Sequence, residues 1–216
     1  MLFFMLGANA PLYTALMYLL ALILALCVHE AAHGWMAYKL GDPTARNLGK
    51  ITIDPRAHFT RLSFFLMLLF PIGFANCPIN PRNFKKPARD ERLVALAGPF
   101  SNLLLGFAFF MVMALVAHYF IPIGSALSPA WDTMASIMIF INIWLFIINL
   151  LPIPPLDGFK VISNFLSWKT REAFQRMERY GFLILILVIN FFAVPFNFAL
   201  MWIIAQMSWV IQWMLV

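Results

Sequence analysis

His29-Glu30-Ala31-Ala32-His33 sets two imidazoles four residues apart, a spacing that puts both on one face of a helix. Two imidazoles so placed can share one metal ion, with the intervening carboxylate of Glu30 beside them as a proton carrier. The motif lies at the downstream end of an apolar run that begins near Leu12. In a membrane-spanning setting each ionisable group costs a few kcal/mol unless it has a partner or a task. Three polar residues merely satisfied by neighbours at a helix end are the weaker reading, because spacing and setting coincide.

A catalytic zinc usually takes three protein ligands and leaves one position open, so one ligand must come from elsewhere. Of the nine acidic residues, Asp42, Asp54, Asp90, Glu91, Glu172 and Glu178 lie among basic residues and read as solvated, while Asp132 borders a loop without Lys or Arg. Asp157 is left as the third ligand, with a helix N-cap as its other reading. With one Zn2+ on His29, His33 and Asp157, Glu30 is the general base. Its side chain projects beside the histidine face, so it is not a ligand. An oxyanion also needs donors. Asn149 suits that task and an interhelical hydrogen bond equally, whereas Asn142 and Asn102 read as structural amides. His58 and His118 are given no role. Cys27 precedes His29 by two positions and turns away from the metal face, and Cys27 and Cys77 read as small buried side chains rather than a disulfide.

These groups need elements to hold them. The chain has 216 residues, 63% hydrophobic and 11% charged, against about 25% charged in soluble domains. That composition predicts an all-α polytopic membrane protein forming a single domain over 1–216. The net charge of +6 is not a nucleic-acid signal. All fifteen Lys and Arg fall within Lys39–Arg61, Arg82–Arg92 and Lys160–Arg179, which the positive-inside rule makes cytoplasmic. Spans are expected over 12–36, 93–120 and 133–151. The tail 181–216 holds one bent span or two divided at Pro195, giving four to five transmembrane helices. Residues 121–131 form an external loop, and 160–180 a surface helix on the anionic inner leaflet. Residues 62–82 are flanked by basic stretches and contain Pro71, Gly73, Asn76 and Pro78. They read as a re-entrant segment, open to a β-hairpin-like form, or as a short interfacial helix. His33 would lie about 9 Å, and His29 about 15 Å, before Lys39 along the first helix, so the metal site sits in the cell membrane toward its cytoplasmic face. No basic residue precedes Lys39, so no secretory signal peptide is expected.

His-Glu-Ala-Ala-His-Gly at 29–34, Asn80-Pro-Arg-Asn-Phe84, Ala97-Gly-Pro-Phe-Ser-Asn102 and Asn149-Leu-Leu-Pro-Ile-Pro-Pro-Leu-Asp157-Gly resemble the site-2 protease family of intramembrane zinc metallopeptidases. The likeness covers roughly residues 12–165 and the short form without PDZ or CBS domains. It implies that His29, His33 and Asp157 bind zinc, that Glu30 is the catalytic base, and that Asn149 positions substrate or stabilises the intermediate. It further implies transmembrane protein substrates, presented in extended form along the stretch through Asn80. Two rivals use the same residues. A transporter or metal-handling protein would need polar groups at several depths, and a pseudoenzyme that only binds transmembrane helices would need no base.

Overall fold

The computed structural model describes residues 12–69, 77–120, 128–163, 165–177, 180, 181, 183, 184 and 187. Three long helices dominate: α1 (Leu12–Lys39), α5 (Pro87–Phe120) and α6 (Ser128–Asn149). Short helices α2 (Thr44–Asn47), α3 (Pro55–His58) and α4 (Arg61–Leu69) follow α1, and a 3₁₀ turn at Pro81–Asn83 precedes α5. Helices α7 (Asp157–Ser163) and α8 (Trp168–Met177) follow α6. There is no β-strand among the described residues.

Helix α1 is rich in Leu and Ala, which lose little side-chain freedom in a helix. Its 28 residues extend about 42 Å, beyond the roughly 30 Å of a bilayer's hydrocarbon core. Its buried side is a helical stripe: Tyr18, Ala21, Leu22, Ala25, Leu26, His29, His33 and Ala37. The two histidines continue a seam that begins as plain hydrocarbon. Leu12, Tyr13, Leu16 and Leu20 on the other side are more than half exposed. The upper seam packs on Ile137, Ile141 and Leu145 of α6. The lower end packs through Ala37 on Phe84 and Val94. Helix α5 therefore lies against α1 and α6 and also meets α7.

Two helices, Leu12–Lys39 and Pro87–Val116, are long and apolar enough to cross a membrane, and Thr133–Asn149 is a shorter apolar helix. The expected boundaries need correction at two places. Helix α5 begins at Pro87 rather than near 93, because proline suits the first helical position and Asp90 Oδ2 accepts the Lys86 N–H at 2.9 Å, satisfying a donor at the helix start. It then runs through Gly98-Pro99 without ending. Helix α6 begins at Ser128, within the expected external loop. In the stretch 62–82 the described part is helix, coil and 3₁₀ turn. Its centre at 70–76, most of the tail 181–216 and most of the loop 121–131 lie outside the described residues.

The acids of the basic stretches also depart from expectation. Asp90 is 3% exposed and Asp42 fully buried, not solvated. His58 is buried too, donating Nε2–H to Thr52 O at 2.7 Å. Gly41 ends α1 with φ +109. Gly41 N–H donates to Tyr38 O and Asp42 N–H to Ala37 O, the paired bonds of a Schellman cap. That cap turns the Asp42 carboxylate inward. There it accepts from Thr44 N–H at 3.1 Å, Thr44 Oγ1–H at 2.5 Å, Asn80 N–H at 2.8 Å and Asn83 Nδ2–H at 2.7 Å. The carboxylate thus ties the end of the histidine helix to the segment entering α5.

Burial pushes the Asp42 carboxyl up, but hydrogen bonds from Thr44, Asn80 and Asn83 more than offset it and leave the group below its ordinary value. A lowered folded-state pKa contributes stability above the unfolded carboxylate pKa of about 3.9 and loses it as pH falls through the lower folded value. Asp42→Ala should cost about 2–4 kcal/mol of unfolding free energy in detergent, since it strands several buried donors. Asp42→Asn should flatten the loss of thermal stability below about pH 4, as followed by circular dichroism.

Candidate metal centre

Helix α1 brings His29 and His33 to one face, and α7 brings Asp157 to meet them. His29 Nε2 lies 3.0 Å and His33 Nε2 3.1 Å from Asp157 Oδ2. The two Nε2 atoms are 3.0 Å apart. All three residues are 4–5% exposed, and the imidazoles meet edge to face at 85°.

The far side of each ring assigns its tautomer. His33 Nδ1 lies 2.7 Å from the carbonyl oxygen of Val94, which can only accept, so Nδ1 carries the proton. His29 Nδ1 lies 2.6 Å from Asn102 Oδ1. The Asn102 amide is itself oriented, because its Nδ2 donates to Ala25 O at 3.0 Å and to Asn142 Oδ1 at 3.2 Å. Asn142 is held in turn by donating Nδ2–H to Met138 O at 2.8 Å. With both Nδ1 atoms protonated, neutral rings present Nε2 lone pairs. Two lone pairs and a carboxylate oxygen then converge at about 3 Å with no proton between them, an arrangement that calls for a cation.

The donor set fits zinc. Imidazole nitrogen and carboxylate oxygen are zinc ligands, and three of them with an open position make a catalytic rather than a structural site. Tetrahedral ligands about 2.0–2.1 Å from zinc stand about 3.3 Å apart, a few tenths of an ångström from the spacing found. His29, His33 and Asp157 form the metal-competent cluster among the described residues.

Two glycines make room. A Cβ on Gly98 would sit 2.4 Å from His33 Nε2 and 2.6 Å from His29 Nε2, against the atoms that must face the ion. A Cβ on Gly158 would meet the carbonyl oxygens of Leu150 and Leu151 at 2.3 and 2.5 Å. The turn that aims Asp157 closes only over a bare Cα. Asp157 is the first residue of α7, and its carboxylate goes to the histidines and to Lys160 rather than capping the helix.

Glu30 is half-buried and lies outside the three-residue cluster. Asn149 is not drawn into the cluster's hydrogen bonds. Its Nδ2 donates to Leu145 O at 2.9 Å, on its own helix. The structure adds groups that sequence reasoning left out. Asn102 is an interhelical amide as expected, but it also orients a ligand. Lys160, read only as a surface charge, donates Nζ–H to Asp157 Oδ1 at 2.9 Å. Asp157 is thereby held by one oxygen and aims the other at the histidines. The signal for Lys160 was available, since residues three apart on a helix are neighbours. Cys27 is fully buried and Cys77 half-buried, both free thiols. The side chain of His118 lies outside what is described.

The model of peptidase family M50 matches residues 17–136 and 114–192. YwhC of Bacillus subtilis, a protein named as a zinc metalloprotease, is 37% identical over 184 residues, covering 85% of this chain and 83% of that one. Rip2 of Mycolicibacterium smegmatis, likewise named, is 28% identical over 172 residues, 77% of this chain and 64% of its own length. Rip2 of Mycobacterium tuberculosis strain H37Rv is 29% identical over 171 residues, 77% of this chain and 63% of its own length. No solved structure matches the chain.

Asn102→Ala should weaken zinc binding about 10–100-fold, the usual cost of losing a ligand's outer partner, as read by competition against a chromophoric chelator. Gly98→Ala should lower bound zinc further, because its methyl takes the space between the two Nε2 atoms. Elemental analysis of the purified, folded variant checks this.

Proposed function

Since this chain belongs to peptidase family M50 and is a zinc metallopeptidase, we propose that it cleaves peptide bonds in or near the transmembrane segments of other membrane proteins. The observation that carries this reading is the burial of a three-ligand hydrolytic centre on apolar helices. His29 and His33 sit on α1, which is long and apolar enough to span a bilayer. They lie about 15 and about 9 Å from its charged end at Lys39. A peptide bond reaching them must already be within or beside the membrane.

A zinc ion held by His29, His33 and Asp157 would supply an acidified water and a Lewis acid for the scissile carbonyl. The chain's own residues do the rest. Glu30, next to His29 and free of the ligand set, takes the water's proton and delivers it to the leaving amine. Asn102 and the Val94 carbonyl keep both Nε2 lone pairs turned to the site. Lys160 holds the second oxygen of Asp157. We assign Asn149 to substrate positioning: rotated off Leu145 O, its amide offers two donors from the end of α6. The stretch through Asn80, moored by Asp42, presents the substrate as an extended chain, because a helical peptide bond is shielded. The protein is a multi-pass component of the cell membrane with this site toward the cytoplasmic face, where its basic residues gather.

Glu30→Gln should leave one zinc per chain and lower cleavage by about 10²–10⁴-fold, the range of a general base. The measurement is mass spectrometry of fragments from membrane-protein substrates incubated with the purified enzyme, with and without chelator. Undiminished cleavage by Glu30→Gln would remove Glu30 from the mechanism. Absence of any chelator-sensitive cleavage by the wild type would leave a pseudoenzyme or metal-handling protein instead.

A further inference from the structure

A cavity of about 240 Å³ opens where α1 ends and α5 begins, away from the metal centre. Lys39 closes α1, and Lys85, Lys86 and Arg89 surround the first turn of α5; all four line the cavity and are exposed. Asp90 is the one acid in the wall. It is turned into its own helix, accepting the Lys86 N–H through Oδ2. Among the described residues no carboxylate lies within 4.0 Å of any of the four cationic groups. Four cations against one carboxylate leave the wall at +3, which calls for an anionic ligand.

The depth of the cavity selects the kind of anion. Both helices that form it are long and apolar enough to span a membrane, and they share this end. One turn before Lys39, Trp35 is 49% exposed, with Lys39 Nζ 5.6 Å from its ring centre. Tyr38 is exposed beside it. Trp and Tyr next to a terminal Lys mark the headgroup level of a bilayer. A wall of lysine and arginine at that level faces lipid phosphates first.

We propose that this cavity binds the phosphodiester headgroup of an anionic phospholipid, with Lys39, Lys85, Lys86 and Arg89 as its cationic wall. The bound headgroup bridges two of the helices around the metal centre, α1 with its histidines and α5 with Gly98 and Asn102. It relieves the repulsion among four like charges at their junction. The proposal does not depend on which peptide bonds the enzyme cuts.

The test is native mass spectrometry of the full chain in neutral detergent, titrated with phosphatidylglycerol, phosphatidylcholine or inorganic phosphate. The wild type should retain phosphatidylglycerol at least tenfold better than phosphatidylcholine, and inorganic phosphate should not displace it. The triple variant Lys85→Gln, Lys86→Gln, Arg89→Gln should bind phosphatidylglycerol roughly 100-fold more weakly, about fivefold per basic residue. Arg61→Gln, Arg82→Gln, Lys169→Gln removes the same charge from exposed positions elsewhere and should stay within threefold of wild type. Equal retention of the two lipids by the wild type would overturn the proposal, and that comparison needs no variant to fold. So would equal losses in both triple variants. Displacement by inorganic phosphate would make this a free-phosphate site and overturn the lipid assignment.

Discussion

Three electron-rich atoms, two imidazole nitrogens and one carboxylate oxygen, face one another at 3.0–3.1 Å in a buried site. Lone pairs at that distance repel, and in a low-dielectric interior the repulsion is little screened. The arrangement is stable only around a positive charge, and everything near it serves to hold it open for one. Each Nδ1 proton is committed to an acceptor on the far side of its ring, so neither ring can turn a proton inward to relieve the crowding. Lys160 neutralises Asp157 through the oxygen not aimed at the histidines. The site is built for an ion before the ion arrives.

The α5 helix does most of this holding. Val94, Gly98 and Asn102 are spaced by four, so they share one face, and each meets α1 differently. Val94 offers a carbonyl, Gly98 offers absence, and Asn102 offers an amide that bonds α1, α6 and a ligand ring together. Between apolar helices in a membrane there is little hydrophobic drive, and association rests on close packing and on hydrogen bonds of about 0.6–2 kcal/mol each. A stripe of one glycine and connected amides supplies both. The same stripe that joins the helices therefore orients the His29 and His33 rings, which couples folding to metal competence.

Outside the apolar layer the organising group is Asp42. The carboxylate gathers donors from Thr44, Asn80 and Asn83, residues up to 41 positions away. It moors the chain on both sides of the stretch around 62–82 to the end of the histidine helix. The neighbouring basic residues at the start of α5 remain unpaired by carboxylates among the described residues, which is the opposite treatment of charge within one small region. The buried carboxylate of Asp42 is fully satisfied, and the exposed cations stand without one.

The metal-competent cluster was legible in the sequence because each part of the inference was local or exclusionary. The i, i+4 histidines need only a helix to share a face, and Asp157 remained once the acids among basic residues were set aside. That exclusion reached the residue whose carboxylate stands beside both imidazoles, through an imperfect premise, since Asp42 and Asp90 are buried rather than solvated. Composition settled the all-helical, membrane-compatible class for the described residues. What sequence alone left undecided was which side of each helix looks inward. Beyond the charged opening turns of α5, helices α1, α5 and α6 are apolar nearly all round, so no polar face marks the outside and periodicity carries little rotational information. Only packing decided that Gly98 lies against the histidines, that Asn102 orients His29, and that Asn149 folds back on its own helix. Such contacts join residues as far apart as 73 positions in the chain. Their geometry comes from the rotation and approach of whole helices, a property of the assembled tertiary structure and not of any segment.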